Sequence, residues 1–159
     1  MRCISPQAIM SLRRQTFFTT LPLQQEQMVE MRKERSVAPL ILVIDDEEPV
    51  RAVLRQMLEK EGYKVEEAPD GAVGMSLLQD HPIDLVITDL FMPEKEGIET
   101  MREVRKSFPQ VKIIAMSGGG RMAKLDFLPM AESFGAQRTL AKPFERKELL
   151  EAVRAVLAQ

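Results

Sequence analysis

An apolar run that ends on a single carboxylate constrains the fold of this chain more than any other stretch. Residues 83–93 read Ile-Asp-Leu-Val-Ile-Thr-Asp-Leu-Phe-Met-Pro, so Asp89 stands near the end of the run. Strands that are buried on both faces of a parallel sheet have this nearly continuous apolar pattern. Because open parallel sheets bind ligands beyond the carboxyl ends of their strands, we expect Asp89 to lie in a binding site.

Polar residues follow three other apolar runs in the same way. Asp45 and Asp46 come after the run at 40–44, Ser117 comes after the run at 111–115, and Lys142 comes after a short run that ends at Ala141. This pattern predicts that four strand ends meet around one site.

The apolar runs and the helical patterns between them predict five strands that alternate with five helices. The first predicted helix carries an apolar stripe at helical spacing, made of Val50, Val53, Leu54, Met57 and Leu58. Parallel strands need crossover helices, so the fold class is a doubly wound α/β sheet.

Three residues mark where the predicted helices begin and end. Pro49 is tolerated in the first turn of the first helix, and Gly62 ends that helix in a left-handed conformation. Asp70 is expected to cap the second helix, because its side chain can accept a bond from a free backbone amide.

Composition narrows the function further. The chain has 159 residues, of which 45% are hydrophobic, so it fits one globular domain plus a tail. The net charge of -2 gives no reason to expect nucleic acid as a partner. A single cysteine, Cys3, cannot form an internal disulfide, which favours a reducing, cytoplasmic location. No apolar run approaches the roughly 18 residues of a membrane span, so no membrane association is expected.

The first 38 residues differ from the rest of the chain. They contain Arg2, Arg13 and Arg14 before the first acid, Glu26, and no long apolar period. We expect residues 1–38 to be a disordered tail or an over-extended start of the reading frame, with partner binding or targeting as the alternative. The folded domain is expected at residues 39–159.

The acids at the strand ends predict a metal site. Four successive acids, Asp45 to Glu48, would repel one another, and Asp89 alongside them would increase that repulsion. Mg²⁺ suits such hard oxygen ligands and is typically bound by one or two carboxylates together with phosphate oxygens. Alternatively, Asp45 and Asp46 would simply cap the following helix, where acids are favourably placed.

Lys142 and Ser117 add groups that recognise an anion. The ammonium of Lys142 would supply a counter-charge for a phosphoryl group, and Pro143 allows a cis peptide that could aim the lysine into the site. Ser117 offers a hydroxyl to the same anion. Each residue alone would more simply belong to a loop or a turn.

Together, Asp45-Asp46, Asp89 with Met92-Pro93, Ser117 and Lys142-Pro143-Phe144 resemble the receiver domain of bacterial two-component response regulators, specifically the stand-alone, chemotaxis-regulator-like kind. The resemblance covers about residues 39–158. It implies the flavodoxin-like strand order 2-1-3-4-5.

The resemblance also implies a role for each residue of these motifs. Asp89 would accept a phosphoryl group from a sensor histidine kinase or phosphotransfer protein. Asp45, Asp46, Asp89 and the backbone carbonyl of Phe91 would hold Mg²⁺. Lys142 would contact the phosphoryl oxygens. The protein would then catalyse only its own phosphorylation and dephosphorylation, and would signal through a separate output protein.

The switch that reports phosphorylation departs from the family pattern. Ser117 would move toward the phosphoryl group, but the position three before the lysine, usually aromatic in this family, is Thr139. We therefore expect the change to run mainly through residues 117–125, before a helix capped by Asp126. Phe91 would shield the acyl phosphate from water.

Other functions fit less well. A haloacid-dehalogenase-type phosphatase needs a second Asp where this chain has Phe91, and an FMN carrier needs a hydroxyl- and glycine-rich loop where this chain has four acids. Gly118-Gly119-Gly120 lacks the lysine and the spacing of a P-loop. His81, before a proline, is expected to be a turn residue. The remaining alternative is a receiver-like scaffold module that is never phosphorylated.

Overall fold

The structure is a computed structural model, and it describes residues 38–92, 97–118 and 131–159. Almost all of the predicted tail at residues 1–38 therefore lies outside the described residues. The predicted cap at Asp126 and most of the segment 117–125 lie outside them as well.

The described residues alternate strictly between strands and helices. In chain order the elements are β1 (Leu40–Ile44), α1 (Glu48–Glu59), β2 (Lys64–Ala68), α2 (Gly71–Asp80), β3 (Leu85–Asp89), α3 (Gly97–Ser107), β4 (Lys112–Ser117), α4 (of which the structure describes residues 131–133), β5 (Arg138–Ala141) and α5 (Arg146–Leu157). The strands form one parallel sheet in the order β2-β1-β3-β4-β5. Both the flavodoxin-like fold class and the strand order are confirmed.

The sheet has a hydrophobic core on each face, because successive side chains of a strand point to opposite sides. On β1, Ile41 and Val43 pack in the core that contains Leu54 of α1 and Val153 of α5. Leu42 and its alternate neighbours pack in the other core, with buried residues of α2 and α3. Helices therefore cover both faces of the sheet. The ends of the strands stay uncovered, and polar side chains can lie there.

The helix ends follow the sequence signals. Pro49 lies in the first turn of α1, and Gly62, with a φ of +89°, follows its last turn. The Asp70 carboxylate accepts a bond of 2.8 Å from the amide of Val73 at the start of α2. Gly135 also has a positive φ, +101°, in the turn before β5.

Two local predictions are wrong. Val53 was placed on the apolar stripe of α1, which should pack against the core, but it is 50% exposed and lines a groove of about 410 Å³ between α1 and the residues that follow β5. Ser117 was expected beyond the fourth strand, but β4 continues through it because Ser117 is in register with Ala141 of β5. Pairing with a neighbouring strand lengthened β4 beyond its apolar run.

Candidate phosphoacceptor site

Three neighbouring strands end at the same edge of the sheet, and each ends with or just before a polar residue. Asp45 directly follows β1, Asp89 is the last residue of β3, and Ser117 is the last residue of β4. The register pairs Ile44 of β1 with Thr88 of β3, so Asp45 and Asp89 lie level with each other. The predicted meeting of strand ends is thus confirmed for these three residues.

Lys142 joins the two carboxylates. Its Nζ lies 2.6 Å from Asp45 Oδ2 and 2.5 Å from Asp89 Oδ2, and it donates a hydrogen bond to each. The Asp45 side chain is fully buried, Asp89 is 5% exposed, and the Lys142 side chain is 17% exposed. The Lys142–Pro143 peptide is cis. The fourth strand end therefore contributes the counter-charge at the centre of the site.

The second oxygen of each carboxylate accepts a hydrogen bond from a backbone amide. Asp45 Oδ1 accepts from the amide of Glu47 at 2.9 Å, and Asp89 Oδ1 accepts from the amide of Phe91 at 3.0 Å. Each carboxylate is therefore held by one ammonium bond and one bond from the turn that follows its own strand. Bonds to an ionised acceptor are stronger than bonds between neutral groups, so this arrangement fixes both side chains.

Two opposing effects act on the pKa of Lys142. Burial lowers it, but the hydrogen bonds to Asp45 and Asp89, with the charges of both carboxylates, raise it by more, so the net pKa is above the usual value of 10.5. Lys142 is therefore a permanent positive charge at neutral pH, available to face an anion.

Asp46 lies apart from the buried pair. It is exposed, as are Glu47 and Glu48, so the four successive acids divide into one buried carboxylate and three at the surface. The alternative that Asp45 or Asp46 is the N-cap of the following helix is wrong. The N-cap residue of α1 is Glu47, and its side chain makes no cap bond. Strand pairing buries Asp45, and the turn to α1 carries Asp46 outward.

The residues present fit a hard divalent cation with few protein ligands. Over the three described ranges, no group of three or more His, Cys, Asp or Glu side chains is gathered as a metal site would require. Mg²⁺ is usually coordinated by one or two carboxylates and completes its shell with water and phosphate oxygens. The adjacent carboxylates of Asp45 and Asp89, with Asp46 nearby in sequence, nevertheless fit this coordination.

Ser117 is placed beside Lys142 by the backbone. The carbonyl of Ser117 accepts a bond of 2.7 Å from the amide of Lys142, and the serine is 2% exposed. The sequence-predicted residues Asp45, Asp89, Ser117 and Lys142 are therefore brought together, while Asp46 stands at the exposed side of the same edge.

Two residues that support Asp89 were not singled out from the sequence. Thr88, fully buried, donates its hydroxyl to the carbonyl of Asp89 at 3.1 Å. Gly97, at the start of α3, packs so closely that a Cβ there would overlap the same carbonyl. A polar residue inside a buried run and a glycine opening a helix were the available signals, but neither pattern alone points to Asp89.

Thr139 lies on β5, where it is half-buried and in register with Ala115 of β4. A cavity of about 350 Å³ beside it is lined by Thr139, Leu140 and residues of α5, among them Glu148 and Glu151. Beside Thr139, on the edge strand β5, there is therefore a cavity where an aromatic side chain at this position would lie.

A five-stranded parallel sheet in this order, with a carboxylate pair and a lysine at three strand ends, defines the receiver class of signalling domains. The sequence model of the response regulator receiver domain family matches residues 41–154. The chain belongs to this family and is a receiver domain of two-component signalling.

Curated relatives match this chain over part of their own, greater length. The transcriptional regulatory protein CpxR of Escherichia coli (strain K12) is 37% identical over 117 residues, which are 74% of this chain and 48% of CpxR. The sensor kinase CckA of Brucella abortus is 34% identical over 134 residues, 83% of this chain and 14% of CckA. The chain thus spans about half the length of CpxR.

Solved structures agree with the fold. A response regulator receiver domain protein from Clostridium thermocellum is 32% identical, with a TM-score of 0.69 over 76% of this chain and 94% of that one. A CheY-like receiver domain protein from Methanospirillum hungatei JF-1 is 28% identical, with a TM-score of 0.70 over the same shares. In the described part of the chain, no helix is both long and apolar enough to cross a membrane.

Proposed function

We propose that Asp89 accepts a phosphoryl group from the phosphohistidine of a sensor histidine kinase or phosphotransfer protein, and that the chain passes the signal to a separate output protein. The observation that carries this proposal is the placement of Asp89. Its carboxylate ends β3, stays nearly buried and contacts both the Lys142 ammonium and a backbone amide.

The transfer would be a nucleophilic substitution at phosphorus. An oxygen of Asp89 attacks the phosphorus, the bond from phosphorus to the histidine nitrogen breaks, and the imidazole leaves with that electron pair. The product is an acyl phosphate on Asp89. Lys142 is already bonded to Asp89 Oδ2, so its ammonium can follow the charge from the carboxylate onto the phosphoryl oxygens.

Mg²⁺, held by Asp45, Asp46, Asp89 and the backbone carbonyl of Phe91, would neutralise further charge on the phosphoryl group when bound. The acids and the ammonium have different tasks in this arrangement. The carboxylates would hold the cation, while Lys142 offsets the repulsion between Asp45 and Asp89 in the absence of the cation.

Loss of the phosphoryl group would follow from water attack on the acyl phosphate, so the chain would act only on itself. Phe91 follows Asp89 by two residues, its amide donates to Asp89 Oδ1, and its side chain is 46% exposed, so its ring would shield the acyl phosphate from water. Ser117 would donate its hydroxyl to the phosphoryl group and start the conformational change in residues 117–125.

The alternative, a receiver-like scaffold that is never phosphorylated, has less support. A scaffold would need neither the buried carboxylate pair nor the lysine that bridges it, and burying such charges is costly unless they are paired. All of these residues are present here, and Lys142 contacts both carboxylates.

Acetyl phosphate with Mg²⁺ tests the proposal directly. Intact-mass analysis should find one added phosphoryl group on the wild type and none on Asp89→Asn. Asp80→Asn, which removes an exposed carboxylate at the end of α2, is the matched control and should be modified like the wild type. The same adduct on Asp89→Asn would refute the assignment of Asp89 as the acceptor, and no adduct on the wild type would favour the scaffold.

A further inference from the structure

Arg51 is a nearly buried guanidinium that contacts the backbone of the acidic turn, whereas Lys142 contacts the Asp45 side chain. It lies in the first turn of α1, and its side chain is 13% exposed. Its Nη1 donates a hydrogen bond of 2.7 Å to the backbone carbonyl of Asp45. The proposed transfer step makes no use of this contact.

The carbonyl of Asp45 needs this donor because the strand ladder stops there. The amide of Asp45 still bonds to Ala68, the last residue of β2, at 3.2 Å. Beyond that point the chain turns from β1 into α1, and a buried carbonyl without a partner is unfavourable. Arg51 reaches back from α1 and supplies the missing bond.

Asp45 is consequently held from three directions. Its carbonyl accepts from Arg51, its Oδ1 from the amide of Glu47, and its Oδ2 from Lys142. The guanidinium of Arg51 is less well satisfied: its Nε is buried, has no hydrogen-bond partner among the described residues, and lies 3.6 Å from Glu67 Oε2 on β2. Arg51 therefore satisfies the backbone carbonyl of Asp45, while its own Nε makes no hydrogen bond to a described residue.

We propose that Arg51 is a positioning residue: through the carbonyl of Asp45 it fixes the turn that carries Asp45 and Asp46, and thereby sets the affinity of the site for Mg²⁺. Arg51 would touch neither the cation nor the phosphoryl group. The part of this inference that concerns Mg²⁺ rests on the proposed function, whereas the ordering of the turn does not.

Whether Mg²⁺ binds more weakly or more tightly when Arg51 is removed distinguishes a positioning role from a purely electrostatic one. Arg51 is a positive charge next to several acids, so by charge alone its removal would make Mg²⁺ bind more tightly. Loss of positioning would make Mg²⁺ bind more weakly, because groups that orient a metal ligand typically contribute 10-fold to 100-fold to affinity.

The chain offers a matched control one turn further along α1. Arg55 has the same charge and also contacts Glu67, at 2.8 Å, but it bonds to Glu59 and not to Asp45. Arg51→Met should raise the dissociation constant for Mg²⁺ by about tenfold, measured by titration calorimetry on the full chain. Arg55→Met should stay within about twofold of the wild type, and Arg51→Lys, which keeps a donor and the charge, should recover part of the loss.

A second measurement needs no metal. In chelator, amide exchange at Glu47, whose N–H bonds to Asp45 Oδ1, should be about tenfold faster in Arg51→Met than in Arg55→Met. Mg²⁺ affinity in Arg51→Met equal to or tighter than in Arg55→Met would overturn the inference. If the wild type binds no Mg²⁺, the proposed metal site fails, and unchanged exchange at Glu47 would then overturn the positioning role as well.

Discussion

Asp45 and Asp89 each place one carboxylate oxygen on the same ammonium, that of Lys142, at 2.6 and 2.5 Å. The shared lysine thus gives the two carboxylates at neighbouring strand ends one common counter-charge. Because one ammonium serves both carboxylates, removing Lys142 should destabilise the protein more than removing a charge at the surface.

Lys142→Met should destabilise the protein in the absence of metal. It leaves the buried Asp45 and the nearly buried Asp89 without their charged donor, which should lower the free energy of unfolding by about 2 kcal/mol. Urea unfolding in chelator is the measurement. Lys147→Met, on the exposed face of α5 with an ion pair at 3.8 Å, is the control and should change stability by less than about 0.5 kcal/mol. Equal effects of the two variants would contradict this stabilising role of Lys142.

The stability contributed by Lys142 should depend on pH in a defined direction. Its pKa in the folded protein is raised above 10.5, so its charge favours the native state. That contribution is fully present below the unfolded pKa and is lost as pH rises through the folded value. The difference in unfolding free energy between the wild type and Lys142→Met should be constant from about pH 8 to about pH 9.5 and should decrease above 10.5. A difference that grows at high pH would be inconsistent with this linkage.

Mg²⁺ should stabilise the folded protein through the acidic turn. Binding to the native state alone adds RT ln(1 + [L]/Kd), about 2.7 kcal/mol at a hundredfold excess over Kd. Thermal unfolding with and without Mg²⁺ should show this rise in the wild type and a smaller one in Asp46→Ala. Glu48→Ala removes another exposed acid of the same turn and should respond like the wild type. An undiminished rise in Asp46→Ala would exclude that residue as a ligand.

Gly97→Ala should disturb Asp89 through the backbone. A Cβ at position 97 would overlap the carbonyl oxygen of Asp89, so either α3 or the end of β3 must move. We expect a loss of about 2 kcal/mol in unfolding free energy and slower phosphorylation by acetyl phosphate. Gly118→Ala is the control for stability, because a Cβ there meets no described residue within 4 Å. Retention of wild-type stability and rate in Gly97→Ala would show that this close approach is not needed.

Removal of residues 1–35 should leave the receiver domain folded. Among the described residues, the bonds that anchor the start of the domain come from Pro39, whose carbonyl accepts from Lys64, and from Leu40, whose amide donates to Asp84. Circular dichroism and acetyl phosphate labelling of the truncated chain should match the full chain. A truncated chain that unfolds or takes up no phosphoryl group would place part of the domain upstream of residue 36.

Much of the fold was determined by the sequence itself, because strands and helix ends depend on local patterns. The apolar run before Asp89 specified a strand buried on both faces, and all five residues of β3 are buried. Asp70 and Gly62 marked helix ends through the chemistry of one side chain and one positive φ. The candidate residues could be chosen for the same reason, since each ends or follows a strand that its own neighbours define.

What the tertiary structure decided concerns contacts between residues distant in sequence. Lys142 and Asp45 are 97 positions apart, and no local pattern states that one ammonium serves both Asp45 and Asp89. The division of the acids into a buried Asp45 and an exposed Asp46 depends on where β2 ends beside β1. The roles of Arg51 and Gly97 likewise arise only when α1 and α3 are packed against the strand ends, because an arginine or a glycine in a helix has many possible uses and packing selects one.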